Sequence, residues 1–108
     1  ERLNRGPSRG RIRCATVMMT KFTWDEGKAA SNLTKHGVSF AEAATVFVDR
    51  LAIFIEDAID PGRAILLGMS ERQRLILVVH AEVADSVIRI ISARHATSHE
   101  RKRYEEGP

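Results

Sequence analysis

The residues most able to do chemistry here are cations placed where apolar side chains are expected. In "SVIRIISAR", Ser86 to Arg94, Arg89 stands inside a β-branched run, and Arg94 and His95 mark its end. A buried guanidinium without a partner is costly. Arg89 therefore either pairs with a carboxylate, for which Glu82 on the neighbouring run is placed, or lines a wet cleft. His80 in "RLILVVHAE", Arg63 ahead of "AILLGMS", and the cluster Arg101, Lys102, Arg103 and Tyr104 complete the set in the carboxyl half. Arginine contacts phosphate bidentately and imidazole titrates near neutrality, so these residues suit a phosphate backbone. A second group, Lys28, Asn32, Lys35 and His36, follows i, i+4, i+7, i+8 spacing. It reads as one polar helix stripe, either plain solvated surface or a contact for RNA or a partner. His36 also stands where a helix C-terminus favours an imidazolium.

Other chemistry finds little footing. His95 and His99 have the H-x3-H spacing of a metal pair, but Thr97 caps a helix between them, so the i, i+4 geometry fails. There is no Gly-rich phosphate loop and no G-x-S-x-G. Cys14 is the only cysteine and no plausible nucleophile. No metal and no cofactor is expected.

The elements that must position these residues follow from period and capping. Phe22 to Trp24 read as a short strand, with Thr23 or Asp25 as the next helix's N-cap. That helix ends at His36, with Gly37 suited to the left-handed position. Ser39 with Glu42 forms a capping box for a second helix, whose Phe40, Ala43, Ala44 and Phe47 make a buried stripe. Then the period changes. "LAIFIED" (51–57), "RAILLGMS" (63–70), "RLILVVHAE" (74–82) and "SVIRIISAR" (86–94) are strands joined by turns too short for anything but hairpins. Thr97 with Glu100 caps a last helix. The expected fold is α+β: an antiparallel β-meander of about four strands, two N-terminal helices and one C-terminal helix, all helices on one face. The runs Leu75–Val79 and Val87–Ile91 are apolar on both faces, so the second face is covered or partly occluded. Regular alternation puts Arg89 and Arg94 on opposite faces. Both can line one cleft only if Arg94 lies in the turn.

The chain has 108 residues, enough for one domain and too few for two. The net charge of +3 is unevenly placed. Residues 1–19 hold five arginines against one glutamate, which leaves the rest slightly acidic. An anionic partner must be argued from local clusters rather than from overall charge. The expectation for 1–19 is a disordered basic leader, with the functional domain spanning 20–108. No apolar run approaches bilayer length, and one cysteine makes a reducing, cytoplasmic setting the default.

"FTWDEGKAASNLTKHGVSFAEAATVF" (22–47), "RLILVVHAE" and "IRIISARHATSHERKRYEE" (88–106) together resemble the BrnT toxins of prokaryotic type II toxin–antitoxin modules. Trp24, Asp25, Lys28, Asn32, Lys35, His36 and Gly37 match the first motif of that family, and Arg89, Ser92, Arg94, Thr97, Glu100, Arg101 and Tyr104 the second. Arg63 matches an arginine opening the family's middle strand. The loop "EDAIDPG" departs in being shorter and in lacking a histidine. The resemblance implies a RelE-like fold and a ribonuclease that blocks translation, acting on RNA either free or on the ribosome. It also implies neutralisation by a ribbon-helix-helix, BrnA-like antitoxin, with operator DNA bound only through that partner. Metal-free RNA cleavage fits the residue inventory, because the 2′-hydroxyl supplies the nucleophile. On this reading Arg89 and Arg63 stabilise the phosphorane and His80 or His36 moves protons. Arg94 and Lys35 hold the scissile phosphate or its neighbour, while Lys28, Asn32, Arg101 and Tyr104 bind RNA. The rival is a non-catalytic module in which the same cleft receives only the antitoxin.

Overall fold

The computed structural model describes residues 20–56 and 60–107. The expectations for the leader 1–19 and for the middle of "EDAIDPG" lie outside the described residues. The elements run β1 (Lys21–Thr23), α1 (Glu26–His36), α2 (Phe40–Thr45), a single 3-10 turn (Val46–Val48), β2 (Ile53–Glu56), β3 (Ala64–Met69), β4 (Leu75–Ala84), β5 (Val87–His95) and α3 (Ser98–Glu106).

Local chemistry sets the helix ends. Of the two N-caps open to α1, Asp25 is used: its carboxylate accepts from the Lys28 N–H at 2.9 Å. Gly37 closes the helix at φ 73°, in the left-handed region that favours glycine. Ser39 caps α2 by accepting from the Glu42 N–H, but the Glu42 carboxylate turns away to Ser70 and Arg74, so the expected capping box is only half formed. At α3 the box is complete: the Glu100 N–H reaches Thr97 Oγ1 at 3.1 Å and the Thr97 N–H reaches Glu100 Oε1 at 2.9 Å.

β2 to β5 form the expected antiparallel meander. The sheet, however, has five strands in the order β1-β5-β4-β3-β2, and β1 joins β5 in parallel. The sheet is therefore mixed, since β1 leads into a helical crossover that brings the chain back over the sheet. Cross-strand partners define its two faces. Leu66, Ile76, Val78, Ile88, Ile90 and Ala93 face the core built with Val38, Phe40, Ala43, Val46 and Phe47 of the helical layer. Leu67, Leu75 and Leu77 face the other way, where Ala96 and Tyr104 pack on them. The expectation of all helices on one face is thus corrected: α1 and α2 cover one face and α3 part of the other. The two-sided apolar runs had required such cover.

Asp49 and Gly68 lock the layers together. The Asp49 carboxylate accepts from the Leu51 N–H at 3.0 Å, the Met69 N–H at 2.8 Å and the Tyr104 hydroxyl at 2.7 Å. Gly68 lies beneath it, and a Cβ there would sit 2.8 Å from the Ala52 Cβ and 3.0 Å from both Asp49 Oδ2 and Val46 Cγ1. Gly68→Ala is expected to destabilise the fold by about 1–3 kcal/mol through overpacking. Urea unfolding checks this, and a variant as stable as the parent would show that the turn yields freely.

Candidate functional site

The β4–β5 ladder contains the feature that assembles the site. Val79 pairs with Ser92, but the next β4 residue, His80, pairs with Ile90, so Ile91 is an extra residue on β5. A bulge of this kind inverts the alternation beyond it. Arg94 pairs with Leu77, Ser92 with Val79 and Arg89 with Ala81, which puts all three on the α3 face. Arg94 need not lie in the turn, and does not: β5 runs through His95. Thr23 pairs with Arg89 on the other side. Arg63 immediately precedes Ala64, the partner of His80. Extending that ladder by one residue sets Arg63 opposite Ala81, two strands and roughly 10 Å from Arg89. The row across the sheet is then Thr23, Arg89, Ala81, Arg63. Beneath it lie Val79, Ile65 and Ile55, half-buried aliphatic side chains at the margin of the region under α3.

The arginines on this face differ in availability. Arg89 is exposed and, among the described residues, its side chain has neither hydrogen bond nor ion pair. The Glu82 alternative fails on geometry, since Glu82 pairs with Ile88 and faces the other side. Arg63 is also exposed but sits 3.3 Å from Asp60. Arg94 is engaged: its guanidinium forks onto both Glu100 oxygens at 2.9 and 3.0 Å and donates to the His95 carbonyl at 3.1 Å. That hydrogen bonding raises the Arg94 pKa and holds the Glu100 carboxyl below its ordinary range. Arg94 therefore ties α3 to β5 and is not offered to a ligand in this arrangement. Tyr104 is similarly anchored, with burial first and Asp49 second pushing its hydroxyl up to about 12. Arg101 is exposed on α3 beside Lys102 and Arg103.

The remaining candidates lie elsewhere. His80 is buried on the helical side, 4% exposed, with its ring 4.8 Å from Phe47 and 6.2 Å from Phe54. Among the described residues its ring has one hydrogen-bond contact, between Nδ1 and the Val78 carbonyl at 3.4 Å. Burial drives its pKa down to about 4, so it is a neutral core residue at physiological pH. Asn32 is not on an exposed stripe either. Its amide donates to the carbonyls of Val38 at 3.0 Å and Ala93 at 2.8 Å and accepts from the Ala93 N–H at 3.2 Å, bolting α1 to β5. Both expected roles are corrected by burial. Leu33, one residue on from Asn32, is 51% exposed. Lys28 and Lys35 are exposed and His36 is half-buried, all on the helix against the opposite face from Arg89. His95 pairs with Ile76 and His99 lies on α3. Among the described residues no three His, Cys, Asp or Glu side chains gather as a metal site requires.

Sequence reasoning missed Ser92 as a member of the face, Asp49 as the anchor of α3, and the Glu42 cluster. Glu42 is 3% exposed and takes hydrogen bonds from Ser70 at 2.6 Å and from Arg74, whose Nη2 also donates to the Gly37 carbonyl at 3.1 Å. That cluster joins the helical layer to the β3–β4 turn, away from the Arg89 face.

A family model described as the ribonuclease toxin BrnT of type II toxin–antitoxin systems matches residues 24–100. Among solved structures the chain is similar to the ribonuclease toxin BrnT of Brucella abortus. The two share 26% identity and a TM-score of 0.61, over 73% of this chain and 99% of that one. No curated protein matches the sequence. Among the described residues no helix is long and apolar enough to cross a membrane.

The state of His80 has a measurable consequence. Its folded pKa of about 4 lies below the ordinary 6.5, so between these values the unfolded chain binds the proton more tightly. The stability it contributes is complete above the unfolded value and is lost as pH falls through the window. Linkage gives a loss of about 2 kcal/mol between pH 7 and pH 5. Urea midpoints at the two pH values should show this drop in the parent and a smaller one in His80→Leu. Equal drops would place the acid sensitivity elsewhere.

Proposed function

The chain belongs to the BrnT family of ribonuclease toxins of type II toxin–antitoxin systems, and on that footing we propose that it is a metal-independent endoribonuclease acting on the open half of the α3 face. The observation that carries the reading is Arg89: a guanidinium with no partner among the described residues, over an aliphatic floor and in line with a second arginine across the sheet. In the proposed reaction the RNA 2′-oxygen bonds to the adjacent phosphorus as the bond to the 5′-oxygen breaks, leaving a 2′,3′-cyclic phosphate and a 5′-hydroxyl. One proton leaves the 2′-hydroxyl and one reaches the departing oxygen. The negative charge that builds on the phosphorane is met by Arg89 and, after exchange from Asp60, by Arg63.

Neither His80 nor His36 shares that face, so the proposal no longer gives proton transfer to these imidazoles. Catalysis rests on phosphorane stabilisation, with solvent-derived base removing the 2′-hydroxyl proton. Arg101 on α3 extends the cationic track for the flanking strand, and Lys28 and Lys35 serve a different surface. As a type II toxin the chain has an antitoxin partner. We assign that partner to the ribbon-helix-helix class, with operator DNA contacted through it, and the cellular outcome to blocked translation. The absence of His80 and His36 from the face favours one second reading, a module that binds its antitoxin on the same face without chemistry.

End-labelled single-stranded RNA, incubated with the full chain in the presence of a chelator, separates the two readings. Cleavage with cyclic-phosphate ends is expected. Arg89→Ala should lower the rate about 100- to 1,000-fold, as loss of a donor to a developing anion does. Arg89→Lys should restore little, because the bidentate fork is lost. The rate should rise with pH without a falling limb near neutrality. Undiminished cleavage by Arg89→Ala would overturn the site, and no cleavage by the parent would leave the binding module.

A further inference from the structure

We infer that Ser92 is a substrate-contacting residue of this face, its hydroxyl donating a hydrogen bond to a non-bridging oxygen of the phosphate that Arg89 holds. The inference rests on the proposed ribonuclease reading and adds a residue to it.

Three observations meet at Ser92. The first is register. The extra residue at Ile91 turns Ser92 onto the same face as Arg89, and their β4 partners, Val79 and Ala81, are two residues or about 7 Å apart. A hydroxyl and a guanidinium at that spacing can reach one phosphate, the guanidinium by its length and the hydroxyl from the floor.

The second is hydrogen bonding. Ser39, Ser70 and Ser92 are the described serines that are not fully exposed. Ser39 accepts from the Glu42 N–H and Ser70 donates to the Glu42 carboxylate, whereas the Ser92 hydroxyl has no hydrogen bond among the described residues. A half-buried hydroxyl left without a protein partner is satisfied by water or by a ligand.

The third is its surroundings. Val79 faces Ser92 across the ladder and Ile65 lies beyond Val79, so the floor around it offers aliphatic carbon and no competing acceptor on those strands. Arg94, the other polar neighbour on β5, is held by Glu100. A neutral donor placed here adds direction to the contact that Arg89 makes by charge.

The test measures single-turnover cleavage of end-labelled single-stranded RNA and thermal unfolding for the parent, Ser92→Ala, Ser92→Thr and Arg89→Ala. Ser92→Ala should slow cleavage about 10- to 100-fold, the effect of losing one hydrogen bond to a charged group. Its Tm should match the parent's, because no hydrogen bond among the described residues is removed. Ser92→Thr keeps the hydroxyl and should recover most of the rate. If Arg89→Ala abolishes cleavage while Ser92→Ala cleaves like the parent, the assignment of Ser92 is overturned and the ribonuclease reading stands. A rate loss accompanied by a fall in Tm and not rescued by threonine makes Ser92 structural, which also overturns it. If the parent cleaves no RNA, the ribonuclease reading fails and Ser92 falls with it.

Discussion

Hydrogen bonding between β4 and β5 runs from Ile76 opposite His95 to Val79 opposite Ser92, passes over Ile91, and resumes with His80 opposite Ile90. Because side chains alternate with a period of two, that single skipped residue reverses the face of everything beyond it. Without it, the face that carries Ser92 and Arg94 would continue with Ile90 and Ile88, and Arg89 would point into the helical core. Packing permits only one solution: Ile88 and Ile90 are nearly inaccessible, as are Val78 and Ala93. The bulge is what lets a strand with apolar residues on one side present an arginine on the other.

Charge is handled differently at each place it meets the core. Arg74, half-buried, neutralises the buried Glu42, with Ser70 and the Gly37 carbonyl completing the hydrogen bonds. Such a pair is costly to break from either side, so it fixes the α1–α2 corner against the β3–β4 turn. Arg94 and Glu100 do the same for the start of α3, and Glu100 also closes the capping box. α3 has no fully buried residue of its own. Its place over Leu67, Leu75 and Leu77 therefore depends on polar ties at both ends, Arg94–Glu100 and Tyr104–Asp49. Arg89 is the exception on this face. Its side chain is exposed and has no carboxylate partner among the described residues.

Much of the architecture could be read in the sequence, because it is written in local signals. Three capping residues, a glycine stop, a period change after Asp49 and three short turns determine the helices and the meander. The family could be read from two long motifs. What could not be read depends on non-local packing. Asn32 falls on a helical stripe that its spacing marks as polar, and His80 is an imidazole whose chemistry suggests a site. Their burial follows from Phe47, Phe54 and Ala93, which meet them only in the folded chain. The side of the sheet taken by α3 depends on Asp49, a residue without any motif around it. The bulge did leave a trace: Arg89 and Ser92 are polar and three apart in an apolar strand, an odd spacing that regular alternation cannot place on one face.

The parallel pairing of β1 with β5 joins Phe22 to Ile88, two positions separated by most of the domain. Non-local contacts of this kind form late, after the intervening chain has found its place. On a translating ribosome the first strand must wait for the last, and before β5 emerges the chain lacks both the strand that joins β1 to β4 and the side chains of Arg89, Ser92 and Arg94. The strand that closes the sheet onto β1 is thus the same one that carries the cationic face, and the two form together.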